Sequence, residues 1–235
     1  MIIGYFPGAG GNRYLRQLQG LEYSQDAVTY DIKNPLQTFT NRYMLNGIDD
    51  QAEIILTHCL NAPRLKMLAP DRELIFLAAD MKKCLHREWA LEGHNNRYKS
   101  ESTVNVRIEH YNAIRDDSWP IVTTMEDLLA LPGHIAQEVD SSYSDIEVLH
   151  NSVEYQQLLS SFATIKWHHN YYLQYPIDYR DATVVDIDKE DTEFTQVMRR
   201  QLNVNINPMF KLAWDSYINF GPDASLTEIY ERNKK

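Results

Sequence analysis

The sequence has few cysteines, no excess of positive charge and no long hydrophobic run, and each shortage excludes a class of protein. Two cysteines among 235 residues, Cys59 and Cys84, are too few for a disulfide framework and lack the paired spacing of a zinc site. We expect both to be reduced, buried thiols. Lys and Arg number 23 against 33 Asp and Glu, a formal charge of −10, which disfavours a general role in binding nucleic acid.

No apolar run approaches the roughly 18 residues of a membrane helix, and the first residues carry no basic segment followed by a long apolar one. We therefore expect a cytoplasmic protein with no membrane partner. Length and composition are ordinary for a globular chain and favour one domain over residues 1–235. A polar stretch from about 92 to 145 is predicted to be a helical insertion covering the sheet. Within it, Thr124 is expected to cap a helix together with Asp127.

Short apolar runs alternate with helical patterns along the chain. The runs Met1–Phe6, Ala52–Thr57 and Glu73–Ala79 are typical of buried strands, and "ATVVDIDKED" supplies a late one. Helical spacing follows in Tyr14–Leu21, after Met81, in Glu154–Tyr172, in "EFTQVMRRQLNV" and in "PMFKLAWDSYINF". This alternation predicts an α/β fold with a mostly parallel central sheet and helices on both faces.

A glycine-rich loop, "FPGAGGNR", joins the first predicted strand to the first predicted helix. Amide N–H groups at a helix amino terminus attract phosphate, and glycines let the main chain close on its oxygens. Arg13 would add a charge-assisted hydrogen bond. The strict mononucleotide signature, Gly-Lys-Ser/Thr, is missing, because Gly11, Asn12 and Arg13 stand in its place. A glycine turn with no ligand explains the same letters.

Polar residues follow the other predicted strands. His58 and Asp80 come directly after two of them, and in open parallel sheets the ligand lies beyond the carboxyl ends of the strands. A neutral histidine accepts a proton near neutral pH, so His58 is a candidate general base. Asp186 and Asp188, or Asp80, would instead suit Mg²⁺ in a kinase or hydrolase of the P-loop class. Both interpretations remain open on the residues alone.

Three stretches, taken in order, resemble the sulfotransferase family: "YFPGAGGNRYL", "ILTHCLNAPRLKML" and "RELIFLAADMKKCLHRE". That family transfers a sulfuryl group from 3′-phosphoadenosine 5′-phosphosulfate (PAPS) to a hydroxyl or amine, and its fold is a P-loop-like α/β domain. The resemblance therefore implies PAPS as the donor, a small-molecule or glycan acceptor and no metal. It says nothing of the oligomeric state.

The resemblance also implies a role for particular residues. His58 falls on the general base of the family, and Arg87 is a candidate ligand of the 3′ phosphate. The 5′ side of the donor would be held by Gly8, Gly10, Gly11, Asn12 and Arg13. The chain departs from the family at the loop lysine, which is Gly8 here, and at the 3′-phosphate arginine, which is Ala79. A divergent kinase or hydrolase using Mg-ATP and a non-catalytic binding module are the alternatives.

Overall fold

The computed structural model describes residues 1–18, 20, 37–38, 54–91, 108–109, 111–124, 127–128, 130–135 and 152–233. The chain forms two compact units. The first contains Met1–Glu88 and Trp167–Ile206, and the second contains Trp89–Lys166 and Asn207–Lys235. Most of the predicted insertion over 92–145 lies outside the described residues, so that prediction and the single-domain prediction stay predictions.

The first unit is built on a five-stranded parallel sheet. Its strands are β1 (Ile2–Tyr5), β2 (Gln37–Thr38), β3 (Ile54–Thr57), β4 (Leu74–Ala78) and β5 (Thr183–Asp186). Their order in the sheet is β2-β3-β1-β4-β5, and every neighbouring pair is parallel. The predicted α/β class with a parallel sheet is confirmed. Four of these strands match the apolar runs, whereas the two-residue β2 left no pattern in the sequence.

The central strand explains why its sequence is apolar throughout. All four residues of β1 are buried, because the strand pairs with β3 on one side and β4 on the other. Strands buried on both faces of a parallel sheet consist of continuous apolar residues rather than alternating ones. The edge strand β5 instead exposes Thr183 and buries Val185. Because β1 is the middle strand, the glycine loop that follows it lies midway along the row of carboxyl strand ends.

The described helices agree with the predicted ones, with three differences: the first begins earlier, and the second and the last were not predicted. They are α1 (Gly11–Leu18), α2 (Ala62–Leu68), α3 (Met81–Leu91), α4 (Val153–Gln174), α5 (Glu193–Leu202), α6 (Pro208–Phe220) and α7 (Leu226–Asn233). Helix α1 begins three residues before the predicted Tyr14, because its first turn is polar and carries no apolar period. Helix α2 was not predicted; Asn61 caps it by accepting the Arg64 N–H at 2.9 Å.

The core of the first unit lies around the sheet. Ile2, Ile3 and Phe76 are fully buried, and Tyr14 of α1 meets Phe194 of α5 with ring centres 5.1 Å apart. Both cysteines are buried and free, as predicted. Among the described residues, no helix is long and apolar enough to cross a membrane.

The second unit has its own buried aromatic residues. Tyr155 on α4 is fully buried, lies 5.1 Å from the ring of Tyr230 on α7, and shares a hydrogen bond of 2.8 Å with the Thr227 hydroxyl. The predicted cap also forms there: the Asp127 N–H donates to Thr124 Oγ1 at 3.2 Å, and the Thr124 N–H donates to Asp127 Oδ2 at 2.9 Å. The Thr-x-x-Asp pattern is therefore a reciprocal capping box.

Candidate functional site

The loop after β1 is a tight turn that ends in the amino terminus of α1. Gly8 and Gly10 both have φ of +84°, a region that side chains disfavour. The Gly10 carbonyl accepts the Tyr14 N–H at 2.9 Å, which is the first hydrogen bond of the helix. The amides of Gly11, Asn12 and Arg13 thus belong to the first turn, where helix N–H groups have no acceptor within the helix. They carry the positive end of the helix dipole.

The glycines of this loop are also required by the packing of the protein itself. A Cβ atom on Gly8 would lie 2.1 Å from the Cys84 carbonyl oxygen on α3. On Gly10 it would lie 2.5 Å from the Met198 sulfur on α5, and on Gly11 it would lie 2.3 Å from the Tyr5 ring. Each contact is shorter than any real side chain permits. At Gly8 the neighbour is backbone, which cannot rotate away, so this glycine has a structural role whether or not a ligand binds, whereas the neighbours of Gly10 and Gly11 are side chains.

Arg87 braces the loop from α3. Its Nη1 donates to the Gly8 carbonyl oxygen at 2.7 Å, and its Nη2 donates to Gln201 Oε1 on α5 at 3.1 Å. A guanidinium has five N–H donors in a planar fork, so one arginine can join several partners. The structure places this predicted ligand against the predicted cradle, with a bracing role that the sequence did not indicate.

His58 follows β3 directly and is buried, with 3% of its surface exposed. Its Nδ1 lies 2.9 Å from the Tyr5 carbonyl oxygen, and the two rings meet edge to face at 4.6 Å. A carbonyl oxygen only accepts, so Nδ1 carries the proton and Nε2 of the neutral ring is the basic nitrogen. The Tyr172 hydroxyl donates to the His58 carbonyl oxygen at 3.2 Å. Ring and backbone of His58 are thus both held in place.

Tyr5 is the shared neighbour of the two predicted parts of the site. Its ring packs against the backbone of Gly11 on one side and against the imidazole of His58 on the other. The sequence places Tyr5 in a strand and in the first stretch that resembles the sulfotransferase family, without indicating either contact. It gives Met198 and Gln201 no role in the site. The spacing of Met198 and Gln201, three residues apart on α5, was the available signal, because it puts both on one helix face.

The surroundings of the thiol next to the loop disfavour its reactive thiolate form. Burial raises the pKa of Cys84 far above its ordinary value, and the nearby Asp80 carboxylate raises it further. Burial likewise raises the pKa of Cys59. Attack by cysteine needs the thiolate, which neither environment favours. Both cysteines therefore serve in packing.

The acidic residues at the strand ends have local partners. Asp80 caps α3, with Oδ1 accepting the Lys83 N–H at 2.8 Å. The Asp186 carboxylate meets Lys189 Nζ at 2.9 Å and accepts the Asp188 N–H at 3.1 Å. The hydrogen bond from Lys189 is the largest influence that lowers the pKa of Asp186. The Asp80 and Asp186 carboxylates therefore each stabilise their own turn.

Comparison of the chain with protein-family models, with curated proteins and with solved structures finds no match. The case for a function consequently depends on the geometry of the glycine loop, Arg87 and His58 within the first unit.

Proposed function

We propose that the chain is a PAPS-dependent sulfotransferase of the P-loop-like α/β class. In the proposed reaction a hydroxyl or amine of the acceptor attacks the sulfur, and the bond between sulfur and the 5′-phosphate oxygen breaks. The proton of the acceptor passes to Nε2 of His58, and 3′-phosphoadenosine 5′-phosphate (PAP) leaves. The chemistry needs positioning and charge stabilisation of the leaving phosphate. The observation that carries the proposal is the positive-φ glycine turn that ends in the amino terminus of α1, beside His58.

The order of the strands supports a ligand at this turn. Strand β2, which follows β1 in the sequence, lies on one side of β1 within the sheet. Strand β4, which follows β3, lies on the other side of β1. Right-handed crossovers that run in opposite directions lie on opposite faces, which is why we expect helices on both faces. In open α/β sheets, ligands bind beyond the carboxyl ends of the strands at such a reversal. The glycine loop follows the strand at which the direction reverses.

The charge of the turn supports a phosphate or a sulfate as that ligand. The first-turn amides of α1 present donors and partial positive charge, and Arg13 brings a formal charge to the same turn. The loop lysine of the family is absent at Gly8, so in this proposal Arg13 supplies the positive charge on the leaving phosphate. Arg87, which donates to the Gly8 carbonyl, is proposed to contact the 3′ phosphate as well.

The hydrogen bonds of His58 support its role as the base. Donation from Nδ1 to the Tyr5 carbonyl selects the tautomer in which Nε2 accepts a proton. Because only 3% of His58 is exposed, an acceptor reaches Nε2 only if a neighbouring side chain moves. The Tyr5 ring, 4.6 Å away, is the neighbour proposed to move.

The test is ligand-induced thermal stabilisation by PAP, by ATP with Mg²⁺ and by inorganic sulfate. We expect PAP to raise the melting temperature most, without dependence on Mg²⁺. Arg13→Gln should weaken PAP about 10- to 100-fold, because a hydrogen bond to a charged group contributes about 1.5–3 kcal/mol. Arg16→Gln is the matched control, since it removes the same charge from the same helix one turn from the proposed site.

Other outcomes overturn the proposal. Stabilisation by ATP with Mg²⁺ alone would assign the chain to phosphoryl transfer. No stabilisation by any of the three ligands would indicate a non-catalytic module. If PAP binds, His58→Gln should retain PAP binding and lose transfer of labelled sulfate from PAPS to a panel of phenol, sugar and amine acceptors. Unchanged transfer by this variant would remove His58 from the mechanism.

A further inference from the structure

The second unit contains a cavity of about 430 Å³, within the range of about 300–1,000 Å³ typical of small-molecule sites. It lies between one face of α4 and the segment that joins α6 to α7. Its walls are formed by Leu159, Phe162, Ala163 and Lys166 on α4, by Pro222–Leu226, and by Glu109. All of these residues belong to the second unit, so the cavity is independent of the glycine loop and of the function proposed for it.

The floor of the cavity is apolar and firmly held. Leu159, Phe162, Ala163 and Lys166 stand three or four residues apart, which puts them on one face of α4. Leu159 and Phe162 are buried, and the Phe162 ring lies 5.5 Å from that of Tyr217 on α6. A ligand with an aromatic or aliphatic body would pack against this floor.

The opposite wall is a turn fixed by two hydrogen bonds. Gly221, with φ of +76°, ends α6 and donates its N–H to the Tyr217 carbonyl at 2.9 Å. Lys166 Nζ then donates to the Pro222 carbonyl oxygen at 3.0 Å, which ties the turn to α4. The cavity is therefore bounded by a helix face and a braced turn.

The charged groups at the cavity are unequal in number. Two carboxylates, Glu109 and Asp223, line it with one ammonium, Lys166. Within the described part of the chain, neither carboxylate has an ion-pair partner within 4.0 Å or a hydrogen bond. Partial desolvation raises the pKa of Glu109, and Asp223 raises it further, while Lys166 opposes the shift. Both carboxylates are exposed, and among the described lining residues they exceed the ammonium by one charge, so they repel each other across the cavity.

We propose that this cavity binds a small organic monocation, a molecule with an apolar body and one protonated amine. The body covers the Leu159 and Phe162 floor, and the ammonium lies between Glu109 and Asp223. A cation there relieves the repulsion of the carboxylates and supplies an ion-pair partner that neither has among the described residues. Neutral ligands of the same shape leave that repulsion in place, and anionic ones add to it.

The proposal fixes the sign of a pH dependence. Glu109 is faced by Lys166 on α4 and by Asp223 on the turn. Because its pKa is raised in the free protein, acidification protonates Glu109 earlier than an ordinary glutamate. The protonated form no longer attracts a cation. Affinity should therefore fall as the pH is lowered toward the raised pKa of Glu109, and Glu109→Gln should bind more weakly with less dependence on pH.

The first experiment uses the unaltered full-length protein and three probes of similar shape. Calorimetric titration with 2-phenylethylamine, 2-phenylethanol and 3-phenylpropionate compares a cation, a neutral molecule and an anion. We expect the amine to bind about tenfold or more tightly than the alcohol, since charge-assisted hydrogen bonds are roughly twice as strong as neutral ones, and the carboxylate to bind weakest. Equal affinity for the three probes, or no binding of the amine, overturns the proposal.

The second experiment places the site. Glu109→Gln and Asp223→Asn should each weaken the amine about three- to tenfold, in line with the loss of one charge-assisted contact. Glu228→Gln is the control, because it removes a carboxylate of the same unit that pairs with Arg232 outside the cavity. Ala163→Leu fills the floor and should weaken all probes, with a melting curve to show that the variant folds. Amine binding that survives both Ala163→Leu and Glu109→Gln assigns the binding elsewhere and overturns the proposal.

Discussion

Replacement of Gly8 by alanine tests whether the loop after β1 is set by packing. The backbone of Gly8 has φ of +84°, and an added Cβ would lie 2.1 Å from the Cys84 carbonyl oxygen. The atom it meets is backbone of α3, so no side chain can rotate away to make room. Either the loop or the start of α3 must shift. That shift would also disturb the hydrogen bond from Arg87 to the Gly8 carbonyl.

The expected cost has two parts. The left-handed conformation disfavours alanine by about 1–2 kcal/mol. Forcing an extra carbon into a packed site costs about 1–3 kcal/mol more. We therefore expect Gly8→Ala to lower the free energy of unfolding by about 2–5 kcal/mol, a large share of the roughly 5–15 kcal/mol of a typical domain.

Urea denaturation, followed by tryptophan fluorescence and by far-ultraviolet circular dichroism, measures this loss. Gly20→Ala is the matched control in the same unit, because Gly20 has φ of +65° and a Cβ added there would meet no atom within 4 Å in the described part of the chain. It keeps the backbone cost and lacks the clash, so we expect a loss of about 1–2 kcal/mol. A Gly8→Ala variant that is no less stable than Gly20→Ala would refute the argument from close approach.

Two further predictions concern side chains. Ser160→Ala removes the acceptor of the buried Trp89 indole N–H, which lies 3.0 Å from Ser160 Oγ. It should cost about 1–3 kcal/mol by urea denaturation, whereas Ser161→Ala removes a hydroxyl that bonds to the Gln157 carbonyl of its own helix and should cost less. Lys189→Met should raise the pKa of Asp186, measured by NMR titration. Because the pKa of Asp186 is lower in the folded than in the unfolded protein, its ionisation favours folding, and this contribution is lost on acidification. The unaltered protein should therefore be slightly more stable than Lys189→Met at pH 7, and the two should converge at low pH.

The sheet was predictable because buried parallel strands have a simple signature. The runs at β1, β3 and β4 are short and apolar, and glycine, histidine or aspartate comes within three residues after each. Such runs need no knowledge of their partners, since burial on both faces alone demands apolar residues. Strand β2 has two residues and leaves no such trace. Its place at the edge of the sheet depends on pairing with β3, which only the folded chain shows.

The candidate site was predictable in location and not in its contacts. The ends of the strands identified the glycine loop and His58 without any distance information. The partners of these residues come from remote parts of the sequence: Tyr172 follows His58 by 114 positions, and Gln201 follows Arg87 by 114 positions. The hydrophobic periodicity of a short segment cannot predict such pairs, because each partner fits the pattern of its own helix. The sequence therefore predicts Arg87 as a phosphate ligand and does not predict its hydrogen bond to the Gly8 carbonyl.

The glycine loop shows why a glycine-rich turn is weak information about ligands. Packing against Cys84, Met198 and Tyr5 depends on the absence of a Cβ atom in the three glycines. Anion binding at a helix start depends instead on amide N–H groups. These are different atoms of the same residues, so one demand neither implies nor excludes the other. A loop that is glycine-rich for packing still delivers a helix amino terminus to the carboxyl edge of the sheet. Arg13 distinguishes packing from anion binding. The three glycine contacts do not depend on the charge of Arg13, whereas binding of the proposed phosphate does. Its replacement therefore tests the proposed function more directly than any substitution of a glycine.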